Sequence, residues 1–214
     1  THTAVKVSTP PSNDEFRDVH IIHAVGAALD SKEQPDYKSL GSDKEKLRNF
    51  YERVFAKIFR CAKDKKLDTV VMSLVGGSNF AKLYTSGQGE GKNVFQEEVW
   101  IPTFMDVRSE YPDIKVHFMG LKDGEYAEGF LKEKNYKNLG HFPRCVSKEP
   151  RALYVNAWDP HSIPGNGNGG DDSLDGHVGR SSAVHFLGWG LTNENLVKNI
   201  VEVSQSKTKT SKLQ

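Results

Sequence analysis

The chain has 214 residues, 36% hydrophobic and 27% charged, which suits one globular domain with its own core and excludes a disordered chain. Its formal net charge of +1 leaves no basic footprint for nucleic acid, and no apolar run reaches the roughly 18 residues of a membrane span. Two cysteines, Cys61 and Cys145, make no disulfide framework, and no Cys/His spacing resembles a zinc site; with a polar start lacking an apolar signal core, this predicts a reducing intracellular setting, cytoplasmic or nuclear.

Residues 1–17 mix Thr, Ser, Pro and charge without periodicity and read as an arm, residues 18–205 as the domain, and residues 206–214 as a polar tail. Val19 to Val25 is a β-branched run, expected as a buried strand. From Asp43 to Leu67, the positions Leu47, Phe50, Tyr51, Val54, Phe55, Ile58, Phe59 and Ala62 form a helical stripe, opened by Ser42 or Asp43 as cap. Asp68 to Val75 predicts a strand that Gly76-Gly77-Ser78-Asn79 terminates. A glycine-bearing loop over 85–93 precedes a helix from Val94 to Glu110, in which Pro102 either kinks the helix or starts a second one. Ile114 to Met119 is expected as a strand, Glu125 to Lys134 as a short helix, and Leu153 to Ala157 as the last clear strand. A long loop from Trp158 to Ser173 then leads to a helix from Leu174 to Leu187 and a less regular segment from Asn193 to Val203. Alternating strands and helices predict an α/β fold with a mostly parallel sheet covered on both faces. In such sheets ligands sit beyond the carboxyl ends of the strands.

Two strand ends lead into chemically unusual loops. Gly76-Gly77-Ser78-Asn79 offers successive backbone N–H groups without bulky side chains, an arrangement that cradles phosphate and equally serves a tight turn. It matches neither a Walker loop nor a dinucleotide-binding glycine turn. The second loop interleaves Gly165, Gly167, Gly169, Gly170 and Gly176 with Asn166 and Asn168, beside the carboxylates of Asp159, Asp171, Asp172 and Asp175. So many glycines are expensive to order, which argues against a mere connector. Asp175 also suits a helix cap, and the acids together suit either an acidic catalytic pocket or oxygen ligation of Mg²⁺ or Ca²⁺. His20, His23, His161, His177 and His185 are scattered and read as structural.

These loops carry a resemblance. Val155-Asn156-Ala157-Trp158-Asp159 resembles the VNAAN-type strand end of macrodomains. Gly169-Gly170 with Leu174-Asp175-Gly176-His177 is similar to that family's glycine loop and following helix start, and Gly77-Ser78-Asn79-Phe80-Ala81 resembles its GIYG-type phosphate loop. VNAWDPHSIPGNGN followed by DDSLDG resembles the arginine-specific, MavL-like branch of ADP-ribosylhydrolases. Residues 153–183 carry the match, which is only architectural over 18–150.

The resemblance implies a three-layer α/β/α macrodomain-like fold that binds ADP-ribose and takes arginine-ADP-ribosylated protein as substrate, with no metal or cofactor. Asn156 would meet ribose hydroxyls. The segments Gly76, Gly77, Ser78, Asn79 and Phe80, and Gly165, Asn166, Gly167, Asn168, Gly169, Gly170 and Gly176, would hold the ligand, mainly through backbone at the phosphates. Asp159, Asp171, Asp172 and Asp175 would serve catalysis. Two departures stand out: the loop order is reversed, which implies circular permutation, and Asp159 replaces the second Asn of the signature. A rival signal is Gln96-Glu97-Glu98 after Gly87, Gly89 and Gly91, which resembles the GGG…QEE signature of poly(ADP-ribose) glycohydrolases. Without contiguous glycines, the plain reading of that triple is a solvated helix face. A non-catalytic ADP-ribose reader is the other alternative.

Overall fold

The computed structural model describes residues 2–8, 16–121, 126–140, 149 and 151–158. Its centre is a five-stranded sheet in the order β1 (His2–Ser8), β2 (Phe16–Val25), β7 (Ala152–Trp158), β3 (Thr69–Met72) and β6 (Lys115–Phe118). Among the described residues the last four run parallel and only β1 pairs antiparallel in this sheet, with His2 opposite Ile22 and Ser8 opposite Phe16. The fold is therefore α/β with a mostly parallel central sheet, as the alternation predicts. The N-terminal arm is not irregular throughout. Thr3, Val5 and Val7 alternate with Ala4, Lys6 and Ser8, a period of two that lets this polar stretch pair as an edge strand.

Helix α2 (Lys44–Asp64) forms where the apolar stripe predicts it. The Asp43 side chain caps it by accepting from the N–H groups of Glu45 and Lys46, which holds that carboxyl below its ordinary range. Leu47, Tyr51, Phe55, Ile58, Phe59 and Ala62 are its buried line. A short helix, α1 (Pro35–Leu40), precedes it; the sequence reading omits it because it buries no residue and carries no stripe.

The second long helical stretch has an internal change of register. After the β4–β5 hairpin (Thr85–Ser86 and Gly89–Glu90) come α3 (Lys92–Phe95), a π-helical turn (Gln96–Trp100) and α4 (Ile101–Ser109). The chain stays helical throughout, so Pro102 opens α4 without a break. Proline has no N–H and its ring crowds the carbonyl one turn back, which is that of Glu98. Arg48 on α2 takes that carbonyl instead, through Nε at 3.0 Å and Nη2 at 2.9 Å. The wider turn and the guanidinium together accommodate the proline.

Rings from these helices fill the space above one sheet face. Phe55 meets Trp100 edge-on at 4.9 Å, and Phe104 meets Phe118 of β6 at 5.5 Å. Ile22, Ala24, Val70, Met72, Val116, Leu153 and Val155 line that face, and α5 (Tyr126–Glu133) adds Ala127 and Leu131. Each large apolar side chain buried here contributes about 1.5–3 kcal/mol. Val19, Ile21, Val71, Ala152 and Tyr154 belong to a second cluster on the other face. The helix expected from Leu174 to Leu187 and the segment from Asn193 to Val203 lie outside the described residues. Among the described residues no helix is long and apolar enough to cross a membrane.

Candidate functional site

Because β2, β7, β3 and β6 are parallel, their carboxyl ends share one edge, and both motif-bearing loops leave from it. The segments after β2 and β3 are joined there. Leu29 N–H donates to the Phe80 carbonyl at 2.7 Å, and Leu83 N–H donates to the Leu29 carbonyl at 3.1 Å. Gly26 and Gly76 lie backbone against backbone: a Cβ on Gly26 would sit 2.4 Å from Gly76 Cα. A Cβ on Gly76, whose φ is +64°, would sit 2.3 Å from the Tyr51 hydroxyl. That hydroxyl accepts from Ala27 N–H at 3.0 Å, and burial pushes its pKa up, so it stays a neutral phenol. The glycine pair is thus required by close packing of two loops.

The turn's own hydrogen bonds are specific. Val75 N–H donates to Ser73 O at 2.9 Å and Gly77 N–H to Leu74 O at 3.1 Å. The Gly77 N–H, one of the donors expected at a phosphate, therefore already closes a turn. Trp100 Nε1 donates to the Val75 carbonyl at 3.0 Å, and Gln96 Nε2 to the Gly77 carbonyl at 2.7 Å. Ser78, Asn79 and Phe80 continue the loop with partial or full exposure.

Asn156 lies one sheet position away. β7 is the neighbour of both β2 and β3, with Asn156 opposite His23 and Tyr154 opposite Val71. Ser73 Oγ, at the start of the glycine loop, donates to the Val155 carbonyl at 2.7 Å and ties the two strand ends together. The Asn156 side chain is 1% exposed, and its Nδ2 is 3.0 Å from His23 Nδ1. Burial pushes the His23 imidazole below its ordinary pKa, so a neutral ring accepts from the amide. The Asn156 Oδ1 is buried with no hydrogen-bond partner. Whichever way the amide is turned, one of its polar atoms pairs with His23 and the other is left over. A group in that state costs about 1–3 kcal/mol unless something fills it.

Asp159, Asp171, Asp172, Asp175, Gly165, Asn166, Gly167, Asn168, Gly169, Gly170 and Gly176 lie outside the described residues. Among the described residues no three His, Cys, Asp or Glu side chains gather as a metal site.

The Gln96-Glu97-Glu98 triple corrects one expectation. Glu97 is exposed, but Gln96 is 0% and Glu98 7% exposed, so the triple is not a solvated face. Glu98 turns under the β4–β5 hairpin, where its carboxylate accepts from Tyr84 Oη at 2.8 Å and Ser86 Oγ at 3.0 Å. Burial and this neighbouring carboxylate both push the Tyr84 pKa up, which keeps the phenol a donor. Cover by a hairpin cannot be read from helical periodicity. The apolar Val99-Trp100 pair that follows is the only hint of it in the sequence.

A separate open cleft of about 470 Å³ lies at the amino-end edge, lined by Asp68, Thr69, Asp113, Lys115, Glu149 and Arg151. Within it, Lys115 Nζ is 2.8 Å from Glu149, which also takes His117 Nε2 at 2.9 Å. The cleft is at the opposite end of the strands from the glycine loop after β3. No protein-family model matches the chain, and no curated protein matches it either.

Proposed function

We propose that this chain is a macrodomain-like ADP-ribose-binding domain that removes mono-ADP-ribose from arginine side chains. The observation that carries the reading is the pairing, at one sheet edge, of a glycine-lined loop with a buried Asn156 that keeps one polar atom unpartnered. A ribose hydroxyl, both donor and acceptor, suits that atom in either amide orientation. The reversed order of the two loops is no obstacle, since β3 and β7 are adjacent and parallel whichever comes first in the chain.

Hydrolysis breaks the bond between ribose C1″ and a guanidinium nitrogen. Water adds its oxygen to C1″, and a proton goes to the leaving guanidine. The transition state is oxocarbenium-like, so carboxylates near C1″ stabilise it and orient or deprotonate the water. Asp171, Asp172 and Asp175 are the proposed carboxylates, with Asp159 next. A carboxylate also accepts two parallel hydrogen bonds from a guanidinium, which suits an arginine-linked substrate and repels an anionic leaving group.

Titration calorimetry with ADP-ribose tests the binding half. The wild type should bind near one equivalent, and Asn156→Ala should weaken binding about tenfold, the equivalent of one hydrogen bond. No heat and no rise in melting temperature at millimolar-scale ADP-ribose would end this reading.

A further inference from the structure

Gln96 is a fully buried amide that spends both of its polar atoms on backbone. Nε2 donates to the Gly77 carbonyl at 2.7 Å, and Oε1 accepts from the Ala127 N–H at 2.9 Å. One side chain therefore bridges the glycine loop after β3 and the start of α5, from the helical turn between them. On the same π-helical turn, Trp100 Nε1 holds the Val75 carbonyl at 3.0 Å. A Cβ on Gly77 would lie 3.1 Å from Trp100 Cδ1, so the indole also backs the loop.

An apolar side chain of similar volume would fill this position without the cost of burying an amide. What the amide adds is orientation. In a trans peptide the N–H points opposite to the carbonyl of the preceding residue. Drawing the Gly77 carbonyl toward the helix therefore aims the Ser78 N–H away from it. Trp100 does the same for the Gly76 N–H through the Val75 carbonyl, but that nitrogen packs against Gly26. At the Gly77–Ser78 peptide it is Gln96 that holds the carbonyl end.

We infer that Gln96 is a positioning residue for the diphosphate of ADP-ribose, acting through the Gly77–Ser78 peptide rather than by touching ligand. This rests on the ADP-ribose reading of the site. It also gives Gln96 a role of its own within the Gln-Glu-Glu triple.

Two substitutions test it. Gln96→Met keeps the volume and removes both bonds. Gln96→Glu keeps the shape; ionised, it sets an oxygen against the Gly77 carbonyl, whereas protonated it again donates to Gly77 and accepts from Ala127. The readouts are ADP-ribose affinity from about pH 5 to about pH 8, where a buried glutamic acid titrates, and amide hydrogen exchange in the free proteins. Gln96→Met should weaken ADP-ribose about tenfold or more at every pH. It should also speed exchange at the Gly77 and Leu29 amides, which the loop's own bonds protect, while α2 amides exchange as in the wild type. Gln96→Glu should match Gln96→Met at the alkaline end and approach the wild type at the acid end.

Wild-type affinity in folded Gln96→Met, or exchange accelerated equally in α2 and the loop, overturns the inference. Should Gln96→Met fail to fold, an affinity of Gln96→Glu that tracks the wild type at all pH values overturns it. Wild-type protein that binds no ADP-ribose defeats the functional reading instead, and the exchange pattern alone then decides whether Gln96 fixes the peptide.

Discussion

His23 shows how a residue with no motif around it can govern one that has a motif. Its Nδ1 takes one atom of the Asn156 amide, and the other is left without a hydrogen-bond partner. Asn156 stands out in the sequence through its strand-end signature, whereas its contact with His23 does not, because the pairing joins residues far apart along the chain. The same limit hides Gln96, whose partners Gly77 and Ala127 come from two other segments. The ring of His23 is held neutral by burial, and so is that of His117, where burial outweighs the attraction of Glu149. Both pKa values lie below the ordinary 6.5, so at pH near and below 6.5 the unfolded chain binds more protons than the folded one. Stability is therefore full above that value and falls as pH drops through it toward the folded-state values. Glu149 acts in a separate, lower window. Burial pushes its carboxyl up, but Lys115 and His117 hold it below 4.5 overall, so its contribution is lost only on further acidification. Urea melts across this range should show the first decline beginning near 6.5. In a His23→Asn/His117→Asn double variant that decline should shrink, and an unchanged profile would count against buried neutral histidines.

At the scale of elements, α2, β3, β6 and β7 are legible because burial follows a simple side-chain period in each. What escapes is structure that side-chain period does not encode. β1 is polar enough to read as an arm, α1 buries nothing, and the π turn is a change in backbone hydrogen-bond register. Pro102 gives that turn a chemical cause, and it yields a test. Arg48→Ala leaves the Glu98 carbonyl without its two donors and should cost about 1–3 kcal/mol in urea denaturation. Pro102→Ala restores an N–H one turn along the helix from that carbonyl. In the Arg48→Ala/Pro102→Ala double variant the loss should therefore be smaller than the sum of the singles. Strict additivity would show that arginine and proline are not coupled through Glu98.

For the whole molecule, the sheet order decides what the two loops can do together. Strand β7 arrives last in the described chain yet inserts between β2 and β3, bringing Asn156 to the glycine loop that closed much earlier. The α/β class and the shared strand-end edge follow from alternating elements, and Asn156 with Gly76 to Phe80 is the described part of the proposed site. The proposed acids follow directly from the end of β7 in the sequence, and chemistry must speak for them. The proposed activity is that of an arginine-specific hydrolase that uses carboxylates rather than metal. Its most direct measurement is a linkage panel: peptides ADP-ribosylated on arginine, serine or glutamate, incubated with the protein and EDTA, with free ADP-ribose quantified. Release is expected from the arginine peptide only, with a fall of about a hundredfold or more in Asp172→Asn or Asp175→Asn, as for a lost acid–base group. Release from serine or glutamate, dependence on added Mg²⁺, or ADP-ribose binding without cleavage of any linkage would contradict it.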